Sequence, residues 1–189
     1  MQSKVRGIII YSGMDTTKEE YRSKSKDIWT AENILINEKS INKNLRIFLG
    51  NSTETLMAYL AKDDEFNILP SIKDLTALQV PYMHKNKIHR CKYSNKLVLS
   101  DLGFLVPKII KISSDVPDLI IIPGRFFDNF GNRIGRGKGH YDEFLANHMN
   151  ATFVGISLSQ TLVRILPSNI QDIKMDIIVT EKGIFEFKK

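Results

Sequence analysis

The chain has 189 residues, a net charge of +6 and 42% apolar residues, a size and balance suited to one domain with a sizeable core. Its single cysteine, Cys91, excludes an internal disulfide framework and any zinc site built on cysteines. No segment reaches membrane-spanning length, and the apolar patch at residues 8–11 is too short for a signal sequence.

These features predict a single domain over residues 1–189 in a reducing cytoplasm, neither secreted nor anchored. Lysine and arginine are spread along the chain without a long basic run, which argues against nucleic acid as the main partner. Cys91 lies among His89, Arg90 and Lys92 with no base beside it in sequence, and reads as a bystander.

The first predicted element is an amphipathic helix over residues 18–36, with Ile28, Trp29, Ile34 and Leu35 able to face a core and Asp15, Thr16 or Thr17 as its cap. Polar residues 37–44 read as a connection, residues 45–49 as a strand and residues 50–53 as a turn. A second helix is expected over residues 54–61, from the spacing of Leu56, Met57 and Leu60. Residues 66–69 read as a short strand ended by Pro70. Between residues 71 and 117 the pattern is weaker, with apolar runs at 80–83, 96–99 and 108–112 that suggest meandering strands. Residues 118–123 form the clearest buried strand, and residues 152–157 and 175–180 are two more. Strands alternating with helices predict an α/β fold with a largely parallel sheet.

The most informative stretch is 123–145. It holds Gly124, Gly131, Gly135, Gly137 and Gly139, five of the eleven glycines, with Arg125, Arg133, Arg136 and Lys138. It follows the buried strand and leads into a helix expected over residues 140–148, with Asp142 near its start. Glycines expose backbone N–H groups and cations neutralise phosphate, so a strand, a basic glycine-rich loop and a helix start predict an anion site. The loop is not a Walker A motif, since Gly139 follows Lys138, and its G-x-G-x-G spacing is not the dinucleotide fingerprint.

Residues 131–142 read GNRIGRGKGHYD, and Pro123-Gly124-Arg125-Phe126-Phe127-Asp128 precedes them. Together they resemble the 5-formyltetrahydrofolate cyclo-ligase family, whose pattern runs P-G-x-x-F-D and then G-x-R-[LI]-G-x-G-K-G-[YH]-Y-D. Ile47-Phe48-Leu49, with Glu54 five residues beyond Leu49, is similar to the family's early strand and substrate-contacting carboxylate. Gln160, Leu166-Pro167, Asp172, Asp176 and Thr180-Glu181 resemble its tail. The family's N-terminal K-x-x-x-R falls, in this register, on Gln2 and Arg6, with Lys4 as a stand-in for the lysine. Lys18 and Arg22 have the same spacing but read as an exposed charged face. Val106 stands where the family has Glu in its G-I-x-E-P element.

The resemblance implies a NagB/RpiA/CoA transferase-like α/β domain with flanking helices. It implies ATP-dependent cyclisation of 5-formyltetrahydrofolate to 5,10-methenyltetrahydrofolate, with Mg²⁺ and with ADP and phosphate released. The implied catalytic residues are Lys138 and Arg136. The nucleotide would meet Gln2, Lys4, Arg6, Arg133, Ile134, Gly135, Arg136, Gly137, Lys138, Gly139, His140 and Tyr141. Leu49, Glu54, Arg136, Lys138 and His140 would meet the reduced folate, and Asp142 and Asp172 the metal. On the residues alone Asp142 is equally a helix-start carboxylate, Asp172 a turn residue, Glu54 a cap and Leu49 core. A non-catalytic nucleotide- or folate-binding module of the same fold is the alternative, and a monomer or weak homo-oligomer is expected.

Overall fold

The computed structural model describes residues 16–50, 52, 54–75 and 77–187. Gln2, Lys4 and Arg6, the apolar patch at 8–11 and the cap candidate Asp15 lie outside them.

Two helices open the described chain, α1 (Lys18–Ile28) and α2 (Ala31–Leu49). Thr17 caps α1: its hydroxyl accepts from the Glu20 N–H while the Glu20 carboxylate accepts from the Thr17 N–H at 2.8 Å. The single helix expected over residues 18–36 breaks at Trp29 and Thr30. Thr30 caps α2 through the Asn33 N–H, and the Trp29 indole N–H donates to the Arg125 carbonyl at 3.0 Å. The predicted connection at 37–44 and strand at 45–49 are both part of α2. Ile34, Ile41, Leu45 and Leu49 are its buried apolar positions, a helical spacing hidden by intervening asparagines. One of these, Asn42, is itself buried and donates to the Glu38 and Asn67 carbonyls.

The helix expected over residues 54–61 is instead strand β1 (Leu56–Ala58), buried at every position. An apolar run this short suits a strand covered on both faces, and periodicity cannot tell that from a helix. The expected strand at 66–69 is irregular chain leading into α3 (Leu69–Ile72), where Pro70 occupies the helix start. Next come β2 (Leu78–His84), β3 (Lys87–Lys92), β4 (Leu97–Leu99) and β5 (Leu105–Pro107). The apolar run at 108–112 forms no strand beyond an isolated bridge between Cys91 and Ile112.

The predicted strand at 118–123 is β6 (Leu119–Pro123). The glycine-rich stretch that follows contains a hairpin, β7 (Phe126–Asp128) and β8 (Arg133–Ile134), before α4 (His140–Ala146). Then come β9 (Thr152–Ile156), β10 (Leu162–Val163), β11 (Ile177–Thr180) and β12 (Gly183–Glu186).

The main sheet has seven strands in the order β12-β11-β9-β6-β1-β2-β3. The inner five pair in parallel, and β3 and β12 close the edges antiparallel. The chain steps from β1 outward to β2, then returns to place β6 on the other side of β1. The topological switch therefore falls between β1 and β6, and ligands of open α/β sheets gather beyond the carboxyl ends of the strands at such a point. One face of the sheet packs on α2 through Ile41, Leu45, Ile121 and Val154, and the other on α4 through Ile120, Phe144, Leu145 and Phe153. No described helix is long and apolar enough to cross a membrane.

Candidate functional site

A cavity of about 490 Å³ opens at the carboxyl ends of β1 and β6. Tyr59 and Leu60 reach it just past β1, and Gly124 and Arg125 just past β6. The turn from β8 to α4 supplies a continuous wall, Arg133 through Asp142. All the motif residues assigned by resemblance to this wall are thus brought together, and Asp172 joins them from the later chain.

Asp128, the last residue of P-G-x-x-F-D, holds the base of that wall. It is buried, and its carboxylate accepts from the Phe130, Asn132 and Leu166 N–H groups, each at 2.9 Å, and from the Asn132 amide. Four hydrogen bonds at one buried carboxylate fix the β7–β8 turn and tie it to the Leu166 segment. Gly137 has φ +92°, and a Cβ there would lie 3.0 Å from the Arg22 guanidinium. The close approach of α1 to the wall depends on that missing side chain.

α1 reaches the cavity through Lys18 and Arg22, a turn apart on one face. The Lys18 ammonium pairs with Asp172, and the Arg22 Nε–H donates to the Gly135 carbonyl at 3.2 Å. Both side chains are about a quarter exposed, at 23% and 25%, so the reading of an exposed charged face is corrected. Their K-x-x-x-R spacing was the signal, and it belongs to the helix that packs on the loop.

Leu49 and Glu54 do not reach the cavity. With Leu119, Thr152 and Ile177, which begin β6, β9 and β11, they border an open depression at the amino ends of the strands. Leu49 is helical core and the Glu54 carboxylate accepts from the Ser52 hydroxyl. The cavity contains Leu60 and Glu65 instead, with the same five-residue spacing, in the loop after the real first strand. Val106, the departure from the family's Glu, is buried in the β4–β5 hairpin, whereas its neighbours Phe104 and Leu105 line the cavity.

The cavity lining is of two chemical kinds. Leu60, Pro81, Met83, Ile88, Leu102 and Phe104 make an apolar side. Among its charged residues, Arg133 pairs with Asp142 at 3.2 Å and Arg136 with Glu65 at 3.0 Å and with Asp64. The Arg133 side chain is 5% exposed, and its Nε–H is buried with no acceptor among the described residues. A guanidinium donor left unpaired inside a cavity wall suits an anionic ligand. Lys138, exposed at the loop tip, makes no ion pair among the described residues. Tyr141 lies under Arg133, whose guanidinium sits 5.7 Å from its ring centre. Burial, helped by the negative charge of Glu65, pushes the Tyr141 phenol well above its ordinary range, so it is a neutral hydrogen-bonding group.

Asp142 and Asp172 both line the cavity, and the Ile173 N–H, next to Asp172 in sequence, donates to Asp142 at 3.4 Å. Two carboxylates beside a cationic loop are a donor set that suits Mg²⁺, which takes one or two carboxylates and completes its shell with phosphate oxygens and water. No group of three or more histidine, cysteine or carboxylate side chains forms a metal cage among the described residues. The pair fits a metal that arrives with a nucleotide.

A family model described as the 5-formyltetrahydrofolate cyclo-ligase family matches residues 15–181. The chain is 28% identical over 148 residues to the 5-formyltetrahydrofolate cyclo-ligase of Escherichia coli K12, covering 70% of this chain and 81% of that protein. The mouse 5-formyltetrahydrofolate cyclo-ligase is 33% identical over 69 residues, 34% of either chain. Among solved structures, the 5,10-methenyltetrahydrofolate synthetase of Aquifex aeolicus superposes with a TM-score of 0.76 at 25% identity, over 91% of this chain and 93% of that one. The synthetase of Mycoplasma pneumoniae, at 17% identity, shares the fold with a TM-score of 0.70, over 88% of this chain and 99% of that one.

Proposed function

This chain belongs to the 5-formyltetrahydrofolate cyclo-ligase family, and on that premise we propose that it converts 5-formyltetrahydrofolate and ATP into 5,10-methenyltetrahydrofolate, ADP and phosphate. The observation that carries the reading is the cavity at the switch point, whose lining combines the cationic glycine-rich wall with apolar side chains. A triphosphate suits the cationic wall and the flat rings of a reduced folate suit the apolar side chains.

The formyl oxygen is a poor leaving group until phosphorylated. It attacks the γ-phosphorus of ATP and ADP departs. Nitrogen 10 of the folate then attacks the activated carbon, loses its proton, and the oxygen leaves as inorganic phosphate. The protein's part is alignment and charge neutralisation. Lys138 and Arg136 face the transferring phosphoryl group, Arg133 offers its spare donor, and the backbone of residues 135–139 follows the phosphates. Lys18 and Arg22 take the nucleotide role that the sequence register assigned to Gln2, Lys4 and Arg6. Glu65 and Leu60 take the folate role assigned to Glu54 and Leu49, with His140 at the junction. Asp142 and Asp172 would hold Mg²⁺, which screens phosphate charge when bound. The substrates are small molecules, and a cytoplasmic site of action fits the bacterial relative.

Purified protein given 5-formyltetrahydrofolate and Mg-ATP should show a rising near-ultraviolet absorbance from the methenyl product. Lys138→Ala should lower kcat by about 100-fold or more with an unchanged circular dichroism spectrum. Binding of both ligands without any absorbance rise would instead identify a binding module.

A further inference from the structure

Arg125 belongs to no assigned role, and the family pattern leaves its position open. It is nonetheless a buried arginine, 7% exposed, at the floor of the cavity. Its backbone is fixed on both sides: its N–H donates to the Ile134 carbonyl at 2.7 Å, and its carbonyl accepts from the Trp29 indole. Its guanidinium lies 5.2 Å from the Trp29 ring centre. Nη1 donates to the Asp64 carbonyl at 2.8 Å, and Nη2 pairs with Asp64 Oδ2. The other oxygen, Asp64 Oδ1, pairs with Arg136, whose Nε and Nη2 also reach Glu65 Oε1 at 3.1 and 3.0 Å.

We propose that Arg125 is a positioning residue: it neutralises Asp64 from the protein side, so that Asp64 orients Arg136 without cancelling the charge Arg136 presents to an anionic substrate.

The charge count makes the point. Arg125, Asp64, Arg136 and Glu65 form a neutral chain of alternating sign. Without Arg125 the chain becomes net negative beside a site that must admit a polyanion, and Arg136 is left facing two carboxylates alone. A buried cation costs desolvation, and burial does lower the Arg125 guanidinium from its ordinary range. The bidentate grip on one residue's carboxylate and carbonyl offsets that cost and sets the Asp64 loop at a fixed distance from β6. Burial would raise the Asp64 carboxyl, but the Arg136 hydrogen bond and the two positive charges outweigh it and hold it low, so it stays ionised near neutrality.

The proposal rests on the reading of Arg136 as a substrate-facing cation, so wild-type turnover is measured first; no turnover with bound ligands would refute that reading and leave Arg125 to be tested by ATP binding. Arg125→Met should raise the KM for ATP about tenfold, the size expected for losing one charge near a polyanion at an intermediate dielectric, with kcat lowered less. Adding Asp64→Asn restores neutrality and should bring KM back to within about threefold of wild type. Arg125→Lys keeps the charge but loses the bidentate grip, so its KM should fall between those of the wild type and Arg125→Met, and it serves if Arg125→Met does not fold. A double variant as impaired as Arg125→Met, or recovering thermal stability but not KM, would overturn the proposal and make Arg125 a direct contact or a purely structural residue. An Arg125→Lys variant with a KM no lower than that of Arg125→Met would overturn it as well.

Discussion

At the scale of single residues, the site turns on which carboxylate meets the substrate. Glu54 and Glu65 each sit five residues beyond a leucine, so spacing alone cannot separate them. Their surroundings can. Glu54 is exposed in a turn at the amino ends of the strands, while the Glu65 side chain is 10% exposed and accepts from Arg136 and from the Lys62 N–H. A carboxylate held this way is prepared to take a hydrogen bond from a ligand amide. Glu65→Gln should raise the KM for 5-formyltetrahydrofolate by about tenfold or more, the scale of a hydrogen bond to a charged group, while Glu54→Gln stays within about twofold. Steady-state kinetics on the two variants decides it, and the reverse order of effects would return the role to Glu54.

At the scale of elements, α1 is what delivers Lys18 and Arg22 to the cavity, and its start is set by the Thr17–Glu20 capping box. Thr17→Ala should cost about 1 kcal/mol in urea unfolding and raise the KM for ATP modestly, because fraying the first turn loosens Lys18. An unchanged unfolding midpoint would show that packing alone holds the helix end. The same region shows where the sequence was readable. β6 and the motif after it were legible because a run of isoleucines bounded by proline and glycines has few other readings, and the motif residues do converge on one cavity. α2 and β1 were not. In α2 the apolar residues are interrupted by asparagines that pay for their burial with side-chain hydrogen bonds, as Asn42 does, and no local rule announces such partners. β1 is short and buried on both faces, so Leu56, Met57 and Leu60 matched a helical spacing by accident. That exchange of helix for strand moved the expected carboxylate from the cavity to the opposite end of the sheet. Lys18 and Arg22 do lie on the helix expected over residues 18–36, but spacing alone cannot show that their face packs on the glycine-rich loop.

At the scale of the whole molecule, the only cysteine reports on the integrity of the sheet beside the site. Cys91 on β3 is fully buried, packed with Val80 and with Leu60, the residue that leads from β1 into the cavity. Burial pushes its thiol up to about 11. A thiol near its ordinary value of about 8.5 is partly thiolate at pH 8, whereas one near 11 is almost wholly protonated, and thiolate is the reactive form. The native chain should therefore resist a disulfide reagent at pH 8 and react stoichiometrically once unfolded. Because the folded value lies above the unfolded one, the neutral thiol stabilises the fold fully below about pH 8.5, and that contribution fades as the pH climbs towards 11. The urea midpoint of the wild type should accordingly fall further between about pH 8 and about pH 10.5 than that of a Cys91→Ala variant. Saturating ATP and folate should slow the labelling in mild denaturant, since ligands that bind only the folded state lower the open population. Rapid native labelling at pH 8, or equal alkaline losses in the two proteins, would mean that the β2–β3 edge opens independently of the cavity it borders.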